Sequence, residues 1–116
     1  MEGIDPSQMG YENILIRDQV IIVSTANAEL FISTDLGQAW TNISIPNDYY
    51  LTQDLEFIEN RIYAATARGL MASDDLGDNW YRFLAQDYTS VQDIIVKDNI
   101  IYGATAYGIF ASEAGR

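Results

Sequence analysis

The chain of 116 residues carries six Lys or Arg against seventeen Asp or Glu, a formal charge of −11, and 48% of its residues are hydrophobic. That acidity repels phosphate backbones and anionic headgroups, which excludes nucleic acid and membrane insertion, and no apolar run reaches the ~18 residues of a span or follows a basic start. With no Cys and no His, the chain has no disulfide, no thiolate chemistry, no usual zinc ligand and no imidazole base, and nothing in it suggests a cofactor.

In chain order, residues 1–10 (MEGIDPSQMG) hold Gly and Pro without apolar alternation and read as a flexible leader. From Glu12 the pattern becomes short apolar or alternating runs cut by turn residues, which predicts strands and leaves no stretch long enough for a packed helix. The first unit is expected to hold an inner strand near Ile14–Ile16, a second near Val20–Thr25, a third near Leu30–Ser33 and an outer one near Trp40–Ile45. Tight connections fall on Arg17-Asp18-Gln19, Ile58-Glu59-Asn60 and Lys97-Asp98-Asn99, where Asp and Asn favour hairpin turns. Gly69 and Gly108 mark the next turn, with Glu29 at that place in a first copy one residue longer.

These units recur with a period of about forty residues. Asn13 aligns with Asp54 and Asp93, Thr25 with Thr66 and Thr105, and Ser33 with Ser73 and Ser112. Up to four strands at that period is what a β-propeller blade needs. The expected fold is therefore all-β, with blades of four antiparallel strands over residues 11–50 and 51–89 and an incomplete blade over 90–116 that lacks its outer strand, about 2.75 blades in all.

Between the third and fourth strands the chain writes STDLGQAW at Ser33–Trp40 and SDDLGDNW at Ser73–Trp80. Asp35 and Asp75 are placed to fold back on the N–H groups of the following turn, Gly37 and Gly77 to take positive φ, and Trp40 and Trp80 to cover it. This pattern, S-x-D-x-G-x-x-W, resembles the Asp-box or BNR repeat found in sialidases, sortilin-type receptors, xyloglucanases and propeller-type photosystem II assembly factors. The resemblance covers nearly the whole chain and implies a propeller, with an extracellular or periplasmic setting. In the third copy Ala114 stands where Asp is expected.

Ligands of propellers approach the central channel or the face opposite the Asp-box turns. On that face the candidates are Asp48, Tyr49, Tyr50, Arg68, Asp87, Tyr88 and Tyr107, tyrosines offering flat amphipathic contact to a protein or carbohydrate. Asp48-Tyr49 and Asp87-Tyr88 occupy matching places in two repeats, which favours a role in the crossing between blades. Sialidase-like chemistry needs three converging arginines, and the sequence spreads Arg17, Arg61, Arg68 and Arg82 apart; xyloglucanase-like chemistry needs two opposed carboxylates. Asp74, Asp75 and Asp78 do not match a calcium loop, so no metal is expected. Gln53-Asp54 and Gln92-Asp93 read as hydrogen-bonding positions of the inner strand.

A closed propeller has four to eight blades, a minimum of about 160 residues at this period. The chain is thus either a piece of a longer propeller or a partial one that associates with itself, a homodimer giving six blades. The function expected is non-enzymatic binding or scaffolding; the alternative is a fragment of an extracellular glycoside hydrolase with its active site elsewhere.

Overall fold

A computed structural model describes residues 10–46, 51–83 and 90–113, and within them every regular element is a strand. The first sheet contains β1 (Tyr11–Arg17), β2 (Val20–Thr25), β3 (Leu30–Ser33) and β4 (Thr41–Asn42); the second contains β5 (Thr52–Ile58), β6 (Arg61–Thr66), β7 (Gly69–Ser73) and β8 (Tyr81–Arg82). The third contains β9 (Val91–Lys97), β10 (Ile100–Thr105) and β11 (Gly108–Glu113). In each sheet the strands lie in chain order and every pair is antiparallel, the up-and-down arrangement of a propeller blade.

Local chemistry sets the hairpins. Between first and second strands the turns are two residues long, and Asp18, Glu59, Asp98 and Asn99 take φ between 53° and 64° there. Asp and Asn accept this left-handed region more readily than most side chains, and such turns match the right-handed twist of the flanking strands. Gly69 (φ 123°) and Gly108 (φ 134°) open the third strands, and in the longer first copy Ala28 (φ 65°) bends the chain instead.

The outer strand is shorter than the sequence suggests, pairing only over Thr41–Asn42. Beyond it one backbone bond remains, from Ile43 N–H to the Leu30 carbonyl at 2.8 Å, and side chains take over from there: Leu30 N–H donates to Ser44 Oγ at 2.9 Å and Ser44 N–H to Asn42 Oδ1 at 2.8 Å. The backbone then leaves the sheet while Ile43 and Ile45 remain buried.

Each blade has a face turned to its predecessor, called leading, and one turned to its successor, called trailing. The blade 1 trailing face (Leu15, Ile22, Leu30, Ile32) packs with Ile43 and Ile45 on the blade 2 leading face (Leu55, Phe57, Ile62, Met71). The blade 2 trailing face (Ile58, Tyr63, Leu70, Ala72) packs on the blade 3 leading face (Ile94, Val96, Ile101, Phe110). Period-2 alternation with both faces apolar is what lets one sheet serve two cores.

Candidate functional site

The inner strands β1, β5 and β9 lie side by side, and each carries a register shift at the same repeat position, between Tyr11 and Asn13, between Thr52 and Asp54, and opposite Ala104 and Thr105 where Val91 and Asp93 pair. An extra residue in one strand re-aims the side chain beside it. Asn13 Nδ2 donates to Ser24 Oγ at 3.0 Å and, across the first seam, to the carbonyl of Thr52 at 3.2 Å. Across the second seam Asp54 Oδ2 accepts the N–H of Ile94 at 3.0 Å, while Oδ1 accepts Leu55 N–H at 2.9 Å. Burial, and then a hydrogen bond with the Asp93 carboxyl, push the Asp54 carboxyl above its ordinary value. Gln53 Nε2 donates to Ser90 Oγ at 3.1 Å. The inner-strand position is therefore a set of interblade fasteners.

The turns between third and fourth strands are built alike. Ser33 Oγ donates to Asp35 Oδ1 at 2.7 Å and accepts Gly37 N–H at 2.8 Å; Asp35 Oδ1 accepts the N–H groups of Gln38 and Ala39 at 3.1 and 3.0 Å. In blade 2, Ser73 bonds Asp75 and Gly77 at 2.8 Å each, and Asp75 accepts both the backbone and side-chain N–H of Asn79, at 2.9 and 2.8 Å. Those donors hold the carboxyls below the usual range: for Asp35 the Ser33 hydroxyl and then the Ala39 N–H, for Asp75 the Asn79 amide and N–H and then Ser73. The tryptophans differ. Trp40 Nε1 donates within its own turn to the Gly37 carbonyl at 3.1 Å, whereas Trp80 Nε1 crosses to the Ile43 carbonyl of blade 1 at 2.7 Å.

Beside the second of these turns, Arg61 Nε meets Asp74 at 2.6 Å, and Asp74 accepts the Tyr81 hydroxyl at 2.8 Å. The guanidinium also lies against the rings of Phe83, Tyr63 and Tyr81, centroids 5.6 to 6.0 Å away. Asp74 pushes the Arg61 guanidinium up and is itself held low by it; burial, then Asp74, push the Tyr81 hydroxyl to about 12. This cluster is committed to packing, as is Arg17, which lies over Phe57 and donates to the Glu59 carbonyl.

On the opposite end, Thr25, Thr66 and Thr105 each accept a backbone N–H two residues on, from Asn27, Arg68 and Tyr107, at 3.1 to 3.2 Å. Tyr107 is 90% exposed. Arg82, on the outer strand, reaches this end and donates to the Arg68 carbonyl at 2.6 Å, so two arginines meet where the sequence suggested one. Asp48, Tyr49, Tyr50, Asp87, Tyr88 and Ala114 lie outside the described residues. Among the described residues no cluster of three or more His, Cys, Asp or Glu is arranged to hold a metal ion.

Sequence reasoning expected association between chains but named no residues at the two ends of the array. Ile14 and Ile16 are exposed on the leading face of blade 1, and Ile14 borders an apolar groove of about 400 Å³ that reaches Val23 and Trp40. On the trailing face of blade 3, Ile95, Tyr102 and Ile109 are exposed. Comparing which repeat positions stay apolar in all three copies would have flagged them.

No protein-family model matches the chain, and no curated protein matches it. Solved structures do. The computationally designed Ika4 protein aligns with TM-score 0.71 and 16% identity over 90% of this chain and 66% of that one. An ancestral GH74 enzyme aligns with TM-score 0.74 and 17% identity over 92% of this chain and 17% of that one. YCF48 bound to D1 peptide aligns with TM-score 0.73 and 14% identity over 100% of this chain and 40% of that one. The chain thus spans no more than 66% of any of these three, and the likeness shows the fold: an all-β array of propeller-type blades.

Proposed function

We propose that this chain is a non-enzymatic binding or scaffold module of Asp-box propeller blades that completes its ring by self-association, two copies giving six blades. The observation that carries this reading is the pair of open apolar sheet faces, one at each end of the array. Isolated apolar side chains on a surface are ordinary, whereas contiguous patches on sheet faces mark association. The Asp-box assignment draws on the Ser–Asp–Gly bonding of the two turns. A ligand, protein or carbohydrate, would meet the end that carries Arg68 and Tyr107; that a YCF48 structure holds a D1 peptide is in keeping with peptide binding on such a fold. The alternative, a fragment of an extracellular glycoside hydrolase with its active site elsewhere, has less to support it: Arg61 and Arg17 are committed to packing contacts.

The test is the solution mass of the purified chain, by light scattering after size exclusion across a range of concentrations. A discrete dimer is expected. A monomer at every concentration, or a polydisperse aggregate, removes the self-completing ring.

A further inference from the structure

We infer that the trailing face of blade 3 docks on the leading face of blade 1 of a second copy, head to tail, so that the seam between chains repeats the two seams within the chain. This rests on the self-association reading above and specifies its geometry.

The internal seams serve as templates. Ile14, Leu55 and Ile94 are equivalent residues of the leading face; Leu55 and Ile94 are 5% and 3% exposed beneath the preceding blade, and Ile14 is 65% exposed. Leu30, Leu70 and Ile109 are equivalent on the trailing face; the first two are 1% and 2% exposed beneath the following blade, and Ile109 is 80% exposed. Each open face therefore keeps the apolar side chain that its counterparts bury, and each lacks the kind of face that the other supplies. A face-to-face pairing of two leading surfaces would join surfaces that never meet inside the chain.

Polar groups agree with this pairing. At the second internal seam Asp54 accepts the N–H of Ile94 and shares a hydrogen bond with Asp93. Carried one repeat onward, Asp93 stands opposite the N–H of Ile14 in the second copy, an acceptor facing a donor. At the first seam Arg17 donates to the main-chain carbonyl of Glu59; one further cycle brings Lys97, at the position of Arg17, to the main-chain carbonyl of Asp18 of the second copy, at the position of Glu59.

Two single variants at exposed positions test this without touching either internal core: Ile14→Lys on the leading face and Ile109→Lys on the trailing face. Each alone is expected to weaken self-association by ten-fold or more, roughly the effect of losing one buried aliphatic contact. Mixed, with one partner isotopically labelled, they are expected to form a 1:1 complex in native mass spectrometry, because one intact seam remains between the unaltered face of each. If the parent chain is a discrete dimer but Ile109→Lys leaves it unchanged while Ile14→Lys abolishes it, two leading faces meet and the head-to-tail seam is wrong, with self-association intact. If both variants fail alone and the mixture gives no 1:1 complex, the seam is likewise wrong. A parent chain that is monomeric throughout overturns the self-association reading and this seam together.

Discussion

Gly37 and Gly77 hold the same turn position with nearly the same φ, 95° and 93°, yet their surroundings differ. A Cβ at Gly37 would find its nearest neighbour at 3.7 Å on Trp40, whereas one at Gly77 would meet Ile43 of the preceding blade at 2.6 Å. Gly37→Ala is expected to cost about 1–3 kcal/mol from backbone strain alone, and Gly77→Ala to add about 1–3 kcal/mol of overpacking to that; urea unfolding of the two variants compares them. Asp93→Asn gives a second prediction. A carboxyl whose folded value is raised, as at Asp54, contributes stability below its ordinary value of 3.8 that is lost as pH rises through the raised value. Asn at position 93 would offer Asp54 an N–H in place of a shared proton. Melting at fixed protein concentration from about pH 3 to pH 8 should show the variant higher by about 2–4 °C at neutral pH, the gain vanishing below pH 3.8.

Within one blade, the hydrogen bonds that define strands and turns run between near neighbours in sequence, and that is why the elements were legible from the sequence. Alternation marked the strands, and the Asp and Asn of two-residue turns marked the hairpins. The short β4 was not legible, because Ser44 and Asn42 replace ladder bonds with side-chain bonds that alternation does not register. Nor were the fasteners between blades: whether Asn13 or Asp54 bonds across a seam depends on the register shift beside it, and the crossing of Trp80 to Ile43 depends on how two sheets stack. Of the candidates on the ligand face only Arg68 and Tyr107 are described, and their place follows from the threonine turns. Because Trp80 ties two blades and Trp40 only its own turn, Trp80→Phe should destabilise by about 1 kcal/mol more than Trp40→Phe, as read by chemical denaturation.

Across the whole molecule, charge and apolar surface pull association in opposite directions. In the self-association proposed above, two copies at −11 each would repel at long range, while the open faces would attract on contact. Screening shortens the repulsion to about 10 Å at 0.1 M salt and leaves burial largely untouched. Raising salt from about 20 to 200 mM should therefore strengthen self-association several-fold by sedimentation analysis; weakening would mean that attractive charge contacts across the seam outweigh the net repulsion. The difference between the two end faces has one more consequence. A surface that fits itself saturates after one partner, but the head-to-tail seam inferred above would leave one free half at each tip after every addition. Growth then stops only when the angular step between blades brings the last tip back to the first. A change in that step, even one remote from either tip, would turn a finite ring into a thread, and its length would be set by concentration.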